Sequence, residues 1–111
     1  MKTWIAAGLI ALAPLEAQAG AFYSGNQLYN FMTSGNRFEN QVALGYVAGV
    51  VDAEDRSRSI RGVCFQIPAQ VTGDQVRDVV KRFLEQNPAL RHFNAANLSA
   101  SALSDAFPCP N

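Results

Sequence analysis

Apolar residues recur along the chain at helical spacing in four stretches, separated by clusters of polar turn residues. The first stretch runs from Ala21 to Thr33. Ser24 can cap a helix start there, and Leu28, Phe31 and Met32 fall at i, i+3 and i+4. Ser34-Gly35-Asn36 is a turn by composition. The second helix spans Arg37 to Glu54, with Phe38, Val42, Gly45, Tyr46, Gly49 and Val50 as its predicted apolar stripe. Gly45 and Gly49, with Ala48 beside them, form a smooth strip. Each glycine costs a helix about 1 kcal/mol against alanine, so the strip is expected to permit tight packing inside the fold. Its alternative use is a homodimer, by close approach of a second copy.

The third helix carries the clearest local signal. Thr72-Gly73-Asp74-Gln75 fits a capping box, and Val71 and Val76 stand where a hydrophobic staple would clamp it. Asp74 places negative charge in the first turn, where the helix dipole favours it. Val76, Val79, Val80, Phe83 and Leu84 line one face opposite Arg77, Asp78, Lys81 and Glu85. Asn87-Pro88 stops the helix, and Pro88 to Phe93 has the pattern of one more turn capped by Asn87. Asn94 starts the last helix, whose buried face is Leu98, Ala102, Leu103 and Phe107, with Ser99, Ser101 and Ser104 assigned to a polar face. Between the second and third helices, Asp52 to Ser59 is polar and mixed in charge, without apolar periodicity, and reads as a surface loop leading to Arg61-Gly62.

The amino terminus changes what counts as fold. Met1-Lys2-Thr3 is a short positive start, Trp4 to Leu15 is apolar, and Ala17-Gln18-Ala19 is a small-x-small cleavage site. That order is the pattern of a secretory signal peptide. The apolar run falls short of the roughly 20 residues that a bilayer needs, so a membrane anchor is not expected. Residues 1–19 are therefore read as a cleaved signal peptide, cut after Ala19, and residues 20–111 as one domain in the periplasm.

The chain has nine basic and nine acidic residues, and loss of Lys2 and Glu16 with the signal removes one of each. This balance provides no basic footprint for nucleic acid and no polybasic membrane patch. Two cysteines remain, Cys64 and Cys109, and an even number in an exported chain reads as a disulfide. Their wide separation would make the bridge worth about 4 kcal/mol. The predicted architecture is all-α: a small single-domain bundle of four main helices closed by one disulfide.

Candidate chemistry is sparse. His92 is the only histidine and has no nucleophile or metal-spaced partner nearby in sequence. The serines lack a nucleophile elbow. Asp52, Glu54 and Asp55 lack the ligand spacing of a calcium loop, and no glycine-rich phosphate loop occurs. No catalytic residue, metal, cofactor or small-molecule substrate is expected, which leaves binding to another protein. The polar segments between helices supply the candidate contacts, namely Asp52, Glu54, Asp55, Arg56, Arg58 and Arg61 in one loop and Arg91 and His92 in the next.

An ordered set of motifs also resembles a known family. It comprises Ser24-Gly25-Asn26-x-Leu28, the run Leu44-Gly45-Tyr46-Val47-Ala48-Gly49-Val50-Val51-Asp52, and Cys64-Phe65-Gln66-Ile67-Pro68 near Val71-Thr72. Gln75-Val76-Arg77-Asp78-Val79-Val80, Leu84-Glu85-Gln86-Asn87-Pro88, Arg91-His92, an alanine-rich helix through Ala102-Leu103, and Phe107-Pro108-Cys109 follow in order. Together they resemble the Rap/Tai family of type VI secretion immunity proteins. The resemblance implies a small periplasmic helical domain, often dimeric, that blocks a peptidoglycan amidase toxin by putting a protruding loop into its catalytic groove. The chain departs from many relatives at Met32 and Ala43, where they carry an additional cysteine pair, and this leaves the first helix tied by packing alone. A small acid-stress chaperone and an envelope interaction domain are the alternative readings. The scarcity of proton-switching groups weighs against the chaperone.

Overall fold

The computed structural model describes residues 22–57 and 62–110. The signal-peptide reading of residues 1–19 and the candidate contacts Arg58 and Arg61 lie outside the described residues. Four α-helices follow one another: α1 (Gly25–Thr33), α2 (Arg37–Glu54), α3 (Gly73–Gln86) and α4 (Ala95–Ala106), with a 3-10 turn at Pro88–Leu90. The described residues contain no strand, only two isolated antiparallel bridges, Ser24 with Asn94 and Phe65 with Pro108. Each helix packs against the other three.

Local chemistry accounts for the helix starts. Ser24 and Thr72 each form a capping box, the first with Gln27 and the second with Gln75. Asn36 Oδ1 accepts the Glu39 N–H at 3.0 Å and so opens α2. Asn94 Oδ1 accepts the N–H groups of Ala96 and Asn97 at 2.8 and 3.2 Å and opens α4. Asn87 does not cap the turn after it, since its side-chain amide turns back and donates to the Phe83 carbonyl at 2.8 Å.

The core lies between the four helices and is built from Leu28, Met32, Ala43, Val47, Phe65, Val76, Val80, Leu84, Leu98 and Leu103, with small residues of α4 filling in. The apolar residues predicted to line α3 and α4 face the core, but two other readings are corrected. In α2 the buried residues are Ala43, Val47 and Val50, whereas Phe38 is 75% exposed and both glycines face outward. The true face is turned about one residue, or roughly 100°, from the predicted one. Ser99 is fully buried rather than on a polar face, and its hydroxyl has no hydrogen-bond partner among the described residues.

Met32 and Ala43 are both in the core. The hairpin between α1 and α2 is held by more than packing. The Asn40 side-chain amide donates to the carbonyls of Phe31 at 2.7 Å and Ser34 at 3.1 Å, so it clasps the turn.

Cys64 and Cys109 form a disulfide with their Cα atoms 5.5 Å apart. Backbone bonds run alongside it: the Gln66 N–H donates to Phe107 O at 2.9 Å and the Cys109 N–H to Cys64 O at 3.3 Å. Covalent and hydrogen-bonded ties together fasten the segment between α2 and α3 onto the carboxy-terminal tail. This places Phe65, 1% exposed, in the core.

Candidate partner-binding surface

The predicted contact residues sit in two groups. In the first, Asp52 is exposed on the last turn of α2, and Glu54 is half-buried, with its carboxylate accepting the Ser57 hydroxyl at 3.0 Å. Asp55 turns inward: its Oδ1 accepts the Ile67 N–H at 3.0 Å and its other oxygen lies 3.3 Å from Arg56 Nε. Arg56 takes a positive φ of 61° while its N–H donates to the Phe65 carbonyl at 2.9 Å. Asp55 and the Arg56 backbone therefore anchor the start of this loop to the Phe65 segment. Among the described residues of this group, Asp52 and the Arg56 side chain are exposed to solvent.

The second group is the turn before α4. Its frame is rigid because several backbone bonds converge on it. The Gly25 N–H donates to Phe93 O at 2.9 Å, the Asn26 N–H to Arg91 O at 2.7 Å, and the Ala95 N–H to Tyr23 O at 2.9 Å. The Arg91 guanidinium lies 4.3 Å over the Tyr29 ring, a cation–π contact. His92 is exposed, with its ring 4.1 Å from that of Phe93. The result is a fixed knuckle with Leu90, His92 and Phe93 outward. Leu90 is 37% and Phe93 50% exposed.

Leu90 and Phe93 lie in the turn Pro88 to Asn94 that the sequence offers as a partner-facing segment, but they are not among its named contacts. They lie between a proline stop and a helix cap, where no periodicity reveals which side chains point out. The apolar character of Pro88-Ala89-Leu90 in an otherwise polar turn was the available signal.

Gly25 makes the knuckle's close backing feasible. A Cβ built on Gly25 would stand 2.5 Å from Leu98 Cδ1 and 2.9 Å from the Arg91 carbonyl oxygen. Backbone cannot give way as a side-chain tip does, so Gly25→Ala should destabilise the protein by about 1–3 kcal/mol. Urea denaturation measures this, and an unchanged midpoint would show that α1 slides freely against the turn.

A shallow trough of about 330 Å³ runs beside α2, lined by Gly45, Tyr46, Gly49, Val50, Ala53, Glu54 and Ala96. Burial raises the Tyr46 phenol above its ordinary range, against the lowering effect of a hydrogen bond to the Ala96 backbone. On the other flank of α2, a dent of about 170 Å³ is lined by apolar groups with Asp52 at its rim.

The described residues thus combine a disulfide-tied helical domain with a hydrogen-bonded turn that exposes Leu90 and Phe93 and shallow hollows on both flanks of α2. The chain belongs to the Rap1a immunity proteins, whose family profile matches residues 24–109. It is thus an immunity protein, and membership implies a partner effector. No curated protein matches the chain.

Proposed function

We propose that this protein works in the periplasm, where it binds a peptidoglycan amidase delivered by type VI secretion and occludes the enzyme's catalytic groove. The family match over residues 24–109 carries the reading. The signal-like amino terminus supports it, because an enzyme that cuts peptidoglycan has to be met on the outer side of the inner membrane.

The knuckle is the element suited to the groove. It exposes Leu90 and Phe93, and its backbone is held by hydrogen bonds before binding, so little ordering entropy is lost on association. Leu90, His92 and Phe93 give it the aromatic and aliphatic anchors on which interface energy concentrates. Inhibition of this kind asks no chemistry of the inhibitor. Its residues only exclude substrate and water from the enzyme's nucleophile.

The test applies if the neighbouring open reading frame encodes a small Cys-His amidase: that enzyme is titrated while peptidoglycan hydrolysis is followed. Hydrolysis should cease near one equivalent of the immunity protein. Full hydrolysis at excess would overturn the proposal. Phe93→Ala should weaken inhibition about tenfold or more, as loss of a central anchor does.

A further inference from the structure

We infer that the dent between α2 and the start of α3 takes the side chain of a lysine from the effector. The lysine's methylenes lie against the apolar walls and its ammonium rests on the Asp52 carboxylate. The identity of the partner rests on the function proposed above.

The dent is preformed. Leu44, Val47 and Val51 of α2 make one side of it, and Ile67, Val71 and Val76 the other. Val47 and Val76 belong to the core. The Ile67 N–H is held by Asp55 Oδ1 at 3.0 Å and the Val71 N–H by the Pro68 carbonyl at 3.1 Å. Walls fixed in this way lose little freedom when they are covered. Gly73 keeps the space open. A Cβ there would stand 3.7 Å from Leu44 Cδ1, an ordinary contact, so packing within the protomer does not require the glycine.

Asp52 is the charge at the rim, and the fold makes no use of it. The carboxyl end of a helix disfavours anions, yet Asp52, Glu54 and Asp55 all stand at the end of α2. Glu54 accepts the Ser57 hydroxyl and Asp55 the Ile67 N–H. Asp52 has no hydrogen bond or ion pair among the described residues, and none of their basic side chains lines the dent.

The occupant follows from this chemistry. A partner covering the dent with apolar groups alone would strip the carboxylate of water and put nothing in its place, an unfavourable burial. The occupant therefore brings a cation. Arginine's flat fork favours aromatic faces and paired bonds, and the dent has no aromatic wall. Lysine's thin stem lies along aliphatic surface with the ammonium at its edge.

Titration of the amidase with Asp52→Asn and Gly73→Leu in place of the native protein tests the inference. Each should weaken inhibition about tenfold or more. The thermal midpoint of Asp52→Asn should stay unchanged or rise, because an anion leaves the carboxyl end of α2; a purely structural Asp52 would lower it. When the effector's surface lysines are replaced singly by methionine, one replacement should weaken inhibition by the same factor. It should add nothing further to Asp52→Asn. A native protein that does not inhibit would sink the proposed function and the lysine site with it. Native inhibition that Asp52→Asn leaves unchanged sinks the lysine site alone. So does coupling of Asp52 to an arginine, to an apolar residue or to no residue of the effector.

Discussion

Reduction of the Cys64–Cys109 bond should lower the unfolding free energy by about 4 kcal/mol, the loop-closure value for a bridge spanning 45 residues. Domains are stable by only ~5–15 kcal/mol in total, so the reduced protein would unfold under mild conditions. The bond encloses α3, the knuckle and α4, and it holds the Phe65 segment to the tail. Urea unfolding with and without reductant measures the effect. The double variant Cys64→Ala, Cys109→Ala should give the same loss, which separates the missing cross-link from any effect of the reductant. Matching midpoints in all three samples would mean that backbone pairing of Phe65 with Pro108 suffices on its own.

Phe65→Ala should cost about 3–5 kcal/mol, the range for emptying a buried aromatic site. Phe65 is the largest side chain with essentially no exposure. Its backbone is fixed on both sides: its carbonyl accepts the Arg56 N–H, and the neighbouring Gln66 N–H donates to Phe107 O. The surroundings therefore cannot follow the shrinking side chain and close the void. The denaturant slope should stay constant while the midpoint falls, the mark of lost stability in an unchanged fold. Phe65→Leu should recover much of the loss. A cost below about 1 kcal/mol would show that the segment relaxes into the space, contrary to its pinned backbone.

The disulfide and Phe65 show where sequence reasoning worked and where it stopped. The capping box of α3 and the stripe Val76, Val80, Leu84 were legible because both signals are local: a hydroxyl and an amide three residues apart, then a run at helical spacing. The disulfide was legible from cysteine count and context. Phe65 was not singled out, since it lies in an irregular segment whose burial depends on a distant tail. The face of α2 was misassigned for a different reason. Its outer side carries Phe38, Gly45, Ala48 and Gly49, as apolar by composition as the inner side, so periodicity could not tell core from surface. Ser99 reverses the problem, being a polar residue inside a helix hemmed in by neighbours.

The candidate surface was legible in outline only. Polarity between helices pointed to the two segments, but polarity does not say whether a carboxylate faces water. Asp55 faces the Ile67 N–H instead. Arg91 faces Tyr29, leaving apolar Leu90 and Phe93 to form much of the exposed knuckle.

The pairing of Ser24 with Asn94 bears on the order in which the chain can fold. A ribosome makes α1 first, yet the partner for the start of α1 is among the last segments to emerge. Such distant closure slows folding, because loop entropy must be lost before the contact gives anything back. The α1–α2 hairpin can form early around its Asn40 clasp, but Gly25, which backs onto Arg91 and Leu98, stays uncovered until those residues arrive. A nascent chain of this design therefore keeps the start of α1 open until Asn94 and the helix behind it have been made.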